Sequence, residues 1–191
     1  INPRAILSAA HCAATSYRIR VGSTYANSGG VVHSVSAVVN HPQYNQGSFF
    51  NNDISILRTP SDIGFSNNVQ TAFFAGANYY VPDDSEVWAA GWGYGYPSEQ
   101  LRHVQMWAIN QETCRQNYGA SGTIINENML CVGHYGVGGR DQCTGDSGGP
   151  LYHDSGVVVG VCSFGAGCGE PYLPGVNARV SQYIGWISEN A

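Results

Sequence analysis

The chain contains no lysine: its eight basic residues are all arginine, namely Arg4, Arg18, Arg20, Arg58, Arg102, Arg115, Arg140 and Arg179. At equal odds this pattern would arise roughly once in 250, and lysine is ordinarily among the commonest residues. Charge of either sign is scarce too, at 11% of residues against about 25% in ordinary globular domains. Such a composition, with 43% hydrophobic residues, excludes a chain kept disordered by charge. A net charge of -5 leaves no basic stripe for a nucleic-acid backbone, so nucleic acid is excluded as a partner. No run of 18 apolar residues exists, so no helix is expected to span a membrane. No Cys-x-x-Cys pair occurs, and His33, His41, His103, His134 and His153 do not pair at metal-ligand spacing. No metal site and no cofactor are therefore expected. Helical periodicity is also rare.

What is present points to strands. The 191 residues suffice for one well-cored domain or two small ones, and the 25 glycines imply many tight turns. Tyr17, Ile19 and Val21 alternate with Arg18 and Arg20, as on a half-buried strand. Residues 31–39 are rich in β-branched side chains, with neither glycine nor proline. Ile54 and Ile56 alternate around Ser55, and Val104, Met106 and Ala108 alternate again, while residues 157–161 form an apolar run like that of a strand buried on both faces. Many short strands with glycine-rich turns between them predict an all-β sandwich or barrel. The one clear helical pattern is C-terminal, with Val180, Tyr183, Ile184 and Ile187 at i, i+3, i+4 and i+7. Turn-rich residues 75–85 are the expected connection between two halves, 1–76 and 77–191. The six separated cysteines suggest disulfides in an oxidising compartment, and six cysteines allow 15 pairings.

Three segments carry candidate chemistry. Gly145-Asp146-Ser147-Gly148-Gly149-Pro150 could present a serine oxygen beside unhindered backbone N–H groups, although alone it also reads as a glycine-rich turn. Ser8-Ala9-Ala10-His11-Cys12 sets a histidine behind small residues, which alone could be a surface histidine. Asn52-Asp53-Ile54-Ser55-Ile56-Leu57 opens an apolar strand on an aspartate. A buried carboxylate there needs a partner such as an imidazole N–H, whereas an exposed one would merely cap a turn.

Taken together and in order, with Gly91-Trp92-Gly93 and Ser163-Phe164-Gly165 between and after them, these segments resemble the chymotrypsin/trypsin family of serine proteases over essentially all 191 residues. The resemblance implies two six-stranded antiparallel β-barrels, the first one truncated here, with a C-terminal α-helix. It implies that His11, Asp53 and Ser147 form a catalytic triad and that the N–H groups of Gly145 and Ser147 form an oxyanion hole. Ser163 matches a serine that hydrogen-bonds the triad aspartate. Asp141, six residues before Ser147, matches the selector for Arg or Lys side chains, and Gly165 and Gly175 match the pocket walls. The resemblance further implies Cys114–Cys131 and Cys143–Cys168 bridges. It pairs Cys12 with a cysteine upstream of residue 1 and leaves Cys162 as a small buried hydrophobe; a Cys12–Cys162 bridge is the disfavoured alternative.

Two departures stand out. The family's mature amino terminus lies about thirty residues before Ile1 and pairs with the aspartate matched by Asp146, so the chain reads as a fragment of a longer secreted zymogen product. The stretch 22–32 matches the family's calcium loop but carries no acidic side chain, so no calcium site is expected. Ile1-Asn2-Pro3-Arg4 and Arg20-Val21-Gly22-Ser23-Thr24-Tyr25 are similar to digestive trypsins of the lepidopteran midgut. With lysine absent, this suggests an alkaline gut lumen, because arginine stays charged where lysine does not. The expected partners are protein and peptide substrates and protein protease inhibitors, acting on a monomer. A regulatory protease with a single protein substrate is a second reading. A non-catalytic binding homologue is a third, set against by the retention of all three triad residues.

Overall fold

The computed structural model describes residues 1–14, 16–93, 100–154 and 156–191. Six strands, β6 (Glu86–Gly91), β7 (Arg102–Ala108), β8 (Met129–Gly133), β9 (Pro150–His153), β10 (Val157–Phe164) and β11 (Gly175–Arg179), build a closed antiparallel barrel in the order β10-β11-β8-β7-β6-β9. The apolar run at 157–161 lies within β10, between β9 and β11, where both faces are covered, so Val158, Val159 and Val161 are buried together. Val87, Met106, Val132 and Leu151 fill the interior at 0% exposure. Truncating any one of these to alanine removes about 2–5 kcal/mol for the larger side chains.

The N-terminal half holds β1 (Ala5–Ser8), β2 (Arg18–Val21), β3 (Val31–Ser34), β4 (Ala37–Asn40) and β5 (Ser55–Arg58). Strands β1, β5 and β4 form one sheet, and β2 and β3 form a second. The β-branched stretch 31–39 thus spans two strands. The chain turns a corner at Val35 and Ser36, where Val35 N–H reaches Tyr17 O and Ser36 N–H reaches Arg58 O. β3 therefore belongs to one sheet and β4 to the other. Ala9 and Ile54 of this half pack into the same core as the closed barrel.

Two helices are present among the described residues. α2 (Ile184–Asn190) follows a 3-10 turn at Val180–Gln182, and Val180, Tyr183 and Ile187 are buried as the periodicity predicts. α1 (Gln111–Gly119) has no such periodicity, since only Cys114 and Tyr118 are buried. Asn110 caps it by accepting from Glu112 N–H and Thr113 N–H, both at 3.1 Å. The Cys114–Cys131 disulfide ties it to β8. No helix among the described residues is long and apolar enough to cross a membrane.

The loop after β2 is organised by a side chain of β2 itself. The Arg20 guanidinium donates to the carbonyls of Ala26 (3.0 Å), Asn27 (3.3 Å) and Gly29, and Ser23 Oγ donates to Ser28 O at 2.6 Å. Charge-assisted bonds contribute more than neutral ones. Arg20→Ala is expected to cost about 1–3 kcal/mol, a fall of several degrees in Tm. Lysine at the same position should not restore it, because a point ammonium cannot reproduce the planar fork. An unchanged thermal melt for Arg20→Ala would refute this account of the loop.

Candidate active site

Strand pairing explains why residues far apart in sequence meet. β1 runs antiparallel to β5 with Ser8 opposite Ser55. The residues just after β1 therefore lie beside those just before β5, which brings His11 to Asp53. Ser55 is buried and donates from Oγ to Ala9 O at 3.0 Å, holding the turn that leads to His11. Asp53 Oδ2 lies 2.6 Å from His11 Nδ1, and Asp53 Oδ1 accepts from His11 N–H at 2.8 Å. Ser163, at the end of β10, donates from Oγ to Asp53 Oδ2 at 2.5 Å. Asp53 itself is 1% exposed, so these bonds supply the partners that a buried carboxylate requires. The Asp53 hydrogen bond, and after it the Cys12 sulfur, hold the His11 imidazole well above its usual 6.5, against burial.

The loop before Asp53 is also braced across the molecule. Asn51 Oδ1 accepts from Asn126 Nδ2 (3.0 Å) and Asn128 Nδ2 (3.1 Å), and Asn52 Oδ1 accepts from Asn128 Nδ2 (3.2 Å). Phe50 and Asn52 take φ of 53° and 54°, a left-handed geometry that this amide network helps hold in place.

Ser147 lies in the loop just before β9, where pairing with β10 continues beyond the strand. Gly148 N–H donates to Cys162 O and Cys162 N–H to Gly149 O, each at 2.9 Å. Gly148 has φ 77°, and a Cβ there would stand 2.5 Å from Ser8 Oγ, so only glycine fits between this loop and the His11 turn. Asp146 N–H is bonded to Cys143 O, and Gly149 N–H to Asp146 O. The N–H groups of Gly145 and Ser147, the expected oxyanion donors, have no such partner among the described residues. The Asp146 carboxylate turns inward, accepting from Gly93 N–H and Cys143 N–H at 3.0 Å each. The Ile1 amino group donates to Ala5 O at 2.8 Å. No Ser147–His11 hydrogen bond forms among the described residues; His11 Nε2 has Cys12 Sγ at 3.7 Å. Such bonds are often long before substrate binds.

A cavity of about 220 Å3 opens at Ser147, lined by Gln142, Thr144, Ser163, Phe164, Gly165, Gly167 and the Cys143–Cys168 disulfide. Gly165 and Gly175 face each other: a Cβ on Gly165 would lie 3.9 Å from Gly175 Cα. A Cβ on Gly175 would lie 2.5 Å from Asp141 Oδ1, so the Asp141 carboxylate packs against Gly175, and neither of these two is among the residues lining the cavity. Its Oδ2 accepts from Gly169 N–H at 2.8 Å. Burial pushes the Asp141 carboxyl from 3.8 up to about 6, with the Gly169 N–H opposing. Both expected disulfides are formed, while Cys12 and Cys162 are free thiols and not bridged to one another. Cys162 is 6% exposed, and burial pushes its thiol up, the behaviour of an inert core cysteine.

Sequence reasoning missed the aromatic wall beside the histidine. Phe50 lies 5.0 Å from the His11 ring and 5.7 Å from Phe164, and Phe49 lies 4.2 Å from Phe50. Phe49-Phe50 next to Asn51-Asn52-Asp53 was the available signal, but adjacent aromatics read equally well as core.

The trypsin family model matches residues 1–187. The chain belongs to the trypsin family. Its relatives include an alkaline trypsin C of Manduca sexta, 55% identical over 199 residues that cover 100% of this chain and 77% of that protein. Trypsin CFT-1 of Choristoneura fumiferana is 54% identical with the same coverage. Achelase-1 of Lonomia achelous is 47% identical over 203 residues, covering 100% of this chain and 86% of that protein. The family member described here is a trypsin-like serine endopeptidase, a hydrolase of protein and peptide substrates.

Proposed function

We propose that this protease cleaves peptide bonds after Arg or Lys by an acyl-enzyme mechanism and works as a secreted, monomeric digestive enzyme of an alkaline gut lumen. The observation that carries the specificity is the Asp141 carboxylate, which packs against Gly175 opposite the cavity-lining Gly165, with Oδ1 buried and without a hydrogen-bond partner. A guanidinium or ammonium is the group that such an oxygen lacks. The chemistry is the one described for this family, carried over to these residues. Ser147 Oγ adds to the scissile carbonyl while His11 Nε2 takes its proton. The oxyanion is met by the Gly145 and Ser147 N–H groups, which are not engaged within the loop. Collapse expels the amine, which His11 protonates, and leaves an ester on Ser147. A water deprotonated by His11 then hydrolyses that ester. Asp53 keeps the imidazole oriented through Nδ1 and stabilises its charged form. The cleft lies between halves 1–76 and 77–191, and proteinaceous inhibitors would enter it as substrates do.

The alkaline setting rests on the absence of lysine, on the raised His11, and on the alkaline trypsins among the relatives. Catalysis needs neutral His11, so kcat/KM should climb as pH rises above 6.5. The charged His11–Asp53 pair works in the opposite direction. Because the folded-state value is raised, its stabilisation is complete below 6.5 and is lost as pH rises through the folded value. Activity should therefore rise while Tm falls over the same alkaline window. The test is turnover of matched Arg, Lys and Phe peptide amides from pH 5 to 11, with melts at each pH. Preference for Phe would remove the role given to Asp141, and an optimum near 7 with loss above 9 would remove the alkaline assignment.

A further inference from the structure

Asn52, the residue before Asp53, is anchored outside its own half of the molecule. It is 7% exposed and takes φ 54°, a left-handed geometry that asparagine enters more readily than most side chains. Both ends of its amide are engaged. Nδ2 donates to Gln43 O at 3.0 Å within the loop, while Oδ1 accepts from Asn128 Nδ2 at 3.2 Å and from the Tyr183 hydroxyl at 3.4 Å. Both partners of that oxygen belong to the C-terminal half: Asn128 stands just before β8, and Tyr183, 4% exposed, just before α2. Asn128 is itself held firmly. Its N–H donates to Asn126 Oδ1 at 3.0 Å, and its carbonyl accepts from Arg179 N–H at 2.8 Å. The Arg179 guanidinium donates to the flanking carbonyls of Glu127 at 3.1 Å and Met129 at 2.9 Å.

We infer that Asn128 and Tyr183 are positioning residues for the reaction: through Asn52 they fix, from the half that carries Ser147, the backbone that presents Asp53 to His11. The inference rests on the reading of His11, Asp53 and Ser147 as the triad. The carboxylate bonds of Asp53 to His11 and Ser163 form only when its backbone is already in place, and hydrogen bonds weaken steeply with misalignment. A left-handed φ at a side chain larger than glycine persists only where the surroundings over-determine it. Without Asn128 Nδ2 and the Tyr183 hydroxyl, Asn52 Oδ1 would be a buried acceptor with no partner, which is costly. The loop would then relax and carry Asp53 with it. Because both donors come from the far half, the same contacts register the His11–Asp53 side of the cleft against the Ser147 side.

The experiment measures kcat and KM for an Arg amide across pH, together with Tm. It uses the full-length active enzyme, Asn128→Ala, Tyr183→Phe, the double variant and Asn52→Gly. Val87→Ala, which opens a cavity inside the closed barrel, is the control for lost stability alone. Asn128→Ala should lower kcat about tenfold and the double variant about a hundredfold, the scale of a misplaced catalytic group, with KM within about twofold of wild type. Asn52→Gly should match the double variant, because glycine accepts the left-handed φ but not the hydrogen bonds. Among the described residues, the titratable groups acting on His11 are Asp53 and Cys12, with the Asp53 hydrogen bond the larger raising influence. Loosening it lets the imidazole fall back toward 6.5. The acid limb of kcat/KM should therefore move to lower pH in the double variant and stay in place in Val87→Ala. A double variant within about threefold of the wild-type kcat overturns the inference. So does an Asn52→Gly enzyme with full kcat, or a fall in Tm with the acid limb unmoved. Undiminished kcat in Asp53→Asn overturns the triad reading itself, and the inference with it.

Discussion

Ser147→Ala is expected to lower kcat for an Arg amide by about a millionfold, the scale seen when the nucleophile of such a triad is removed. KM and Tm should stay close to wild type. Ser147 is exposed and makes no hydrogen bond to His11. The loop is held instead by Gly148 and Gly149 pairing with Cys162 and by the Asp146 carboxylate bonded to Gly93 and Cys143. Alanine removes one oxygen and leaves all of these in place. The Gly145 and Ser147 N–H groups persist in the variant, so a residual rate above that of water is expected. Single-turnover kinetics with a p-nitroanilide reads the outcome directly. A loss of less than a hundredfold would mean that another group attacks the carbonyl, and a matching collapse in Tm would mean that the serine is structural.

Asp141→Asn should separate specificity from stability. Removing one partner of a buried charge pair costs about 3–5 kcal/mol, so kcat/KM for Arg and Lys amides should fall by about a hundredfold to several thousandfold. Turnover of a Phe amide should change little. Stability should move the other way. Burial raises the Asp141 carboxyl to about 6, so ionising it opposes folding, and that cost sets in as pH rises from 3.8 through about 6. The neutral amide escapes it, so the variant should melt no lower than wild type at pH 8 and should lose the dip in stability between pH 4 and 6. Undiminished turnover of Arg amides by Asp141→Asn would place the selecting charge elsewhere.

Residues differ in how far their roles could be read before the fold was known. The Gly145–Pro150 segment announces itself because glycine on both sides of a serine has a local backbone reason: Gly145 and Gly148 take φ of 95° and 77°. β10 was legible because a strand covered on both faces needs an unbroken apolar run. α1 was not legible, because it buries only Cys114 and Tyr118 and owes its position to the disulfide to β8. Nor was the corner at Val35 and Ser36, where two sheets compete for a single β-branched run.

The chain's own order of residues determined its family, its strand-rich class, the inventory of chemical groups and the lysine-free charge pattern, since each depends on residue type and short spacing. Only the tertiary structure decided which of those groups meet. His11 and Asp53 are 42 residues apart, and Ser163 and Asp53 are 110 apart. Their hydrogen bonds depend on Ser8 standing opposite Ser55 and on the end of β10 reaching across to the other half. Strand register is a long-range property, and a shift of one residue would turn each of these side chains to the opposite face.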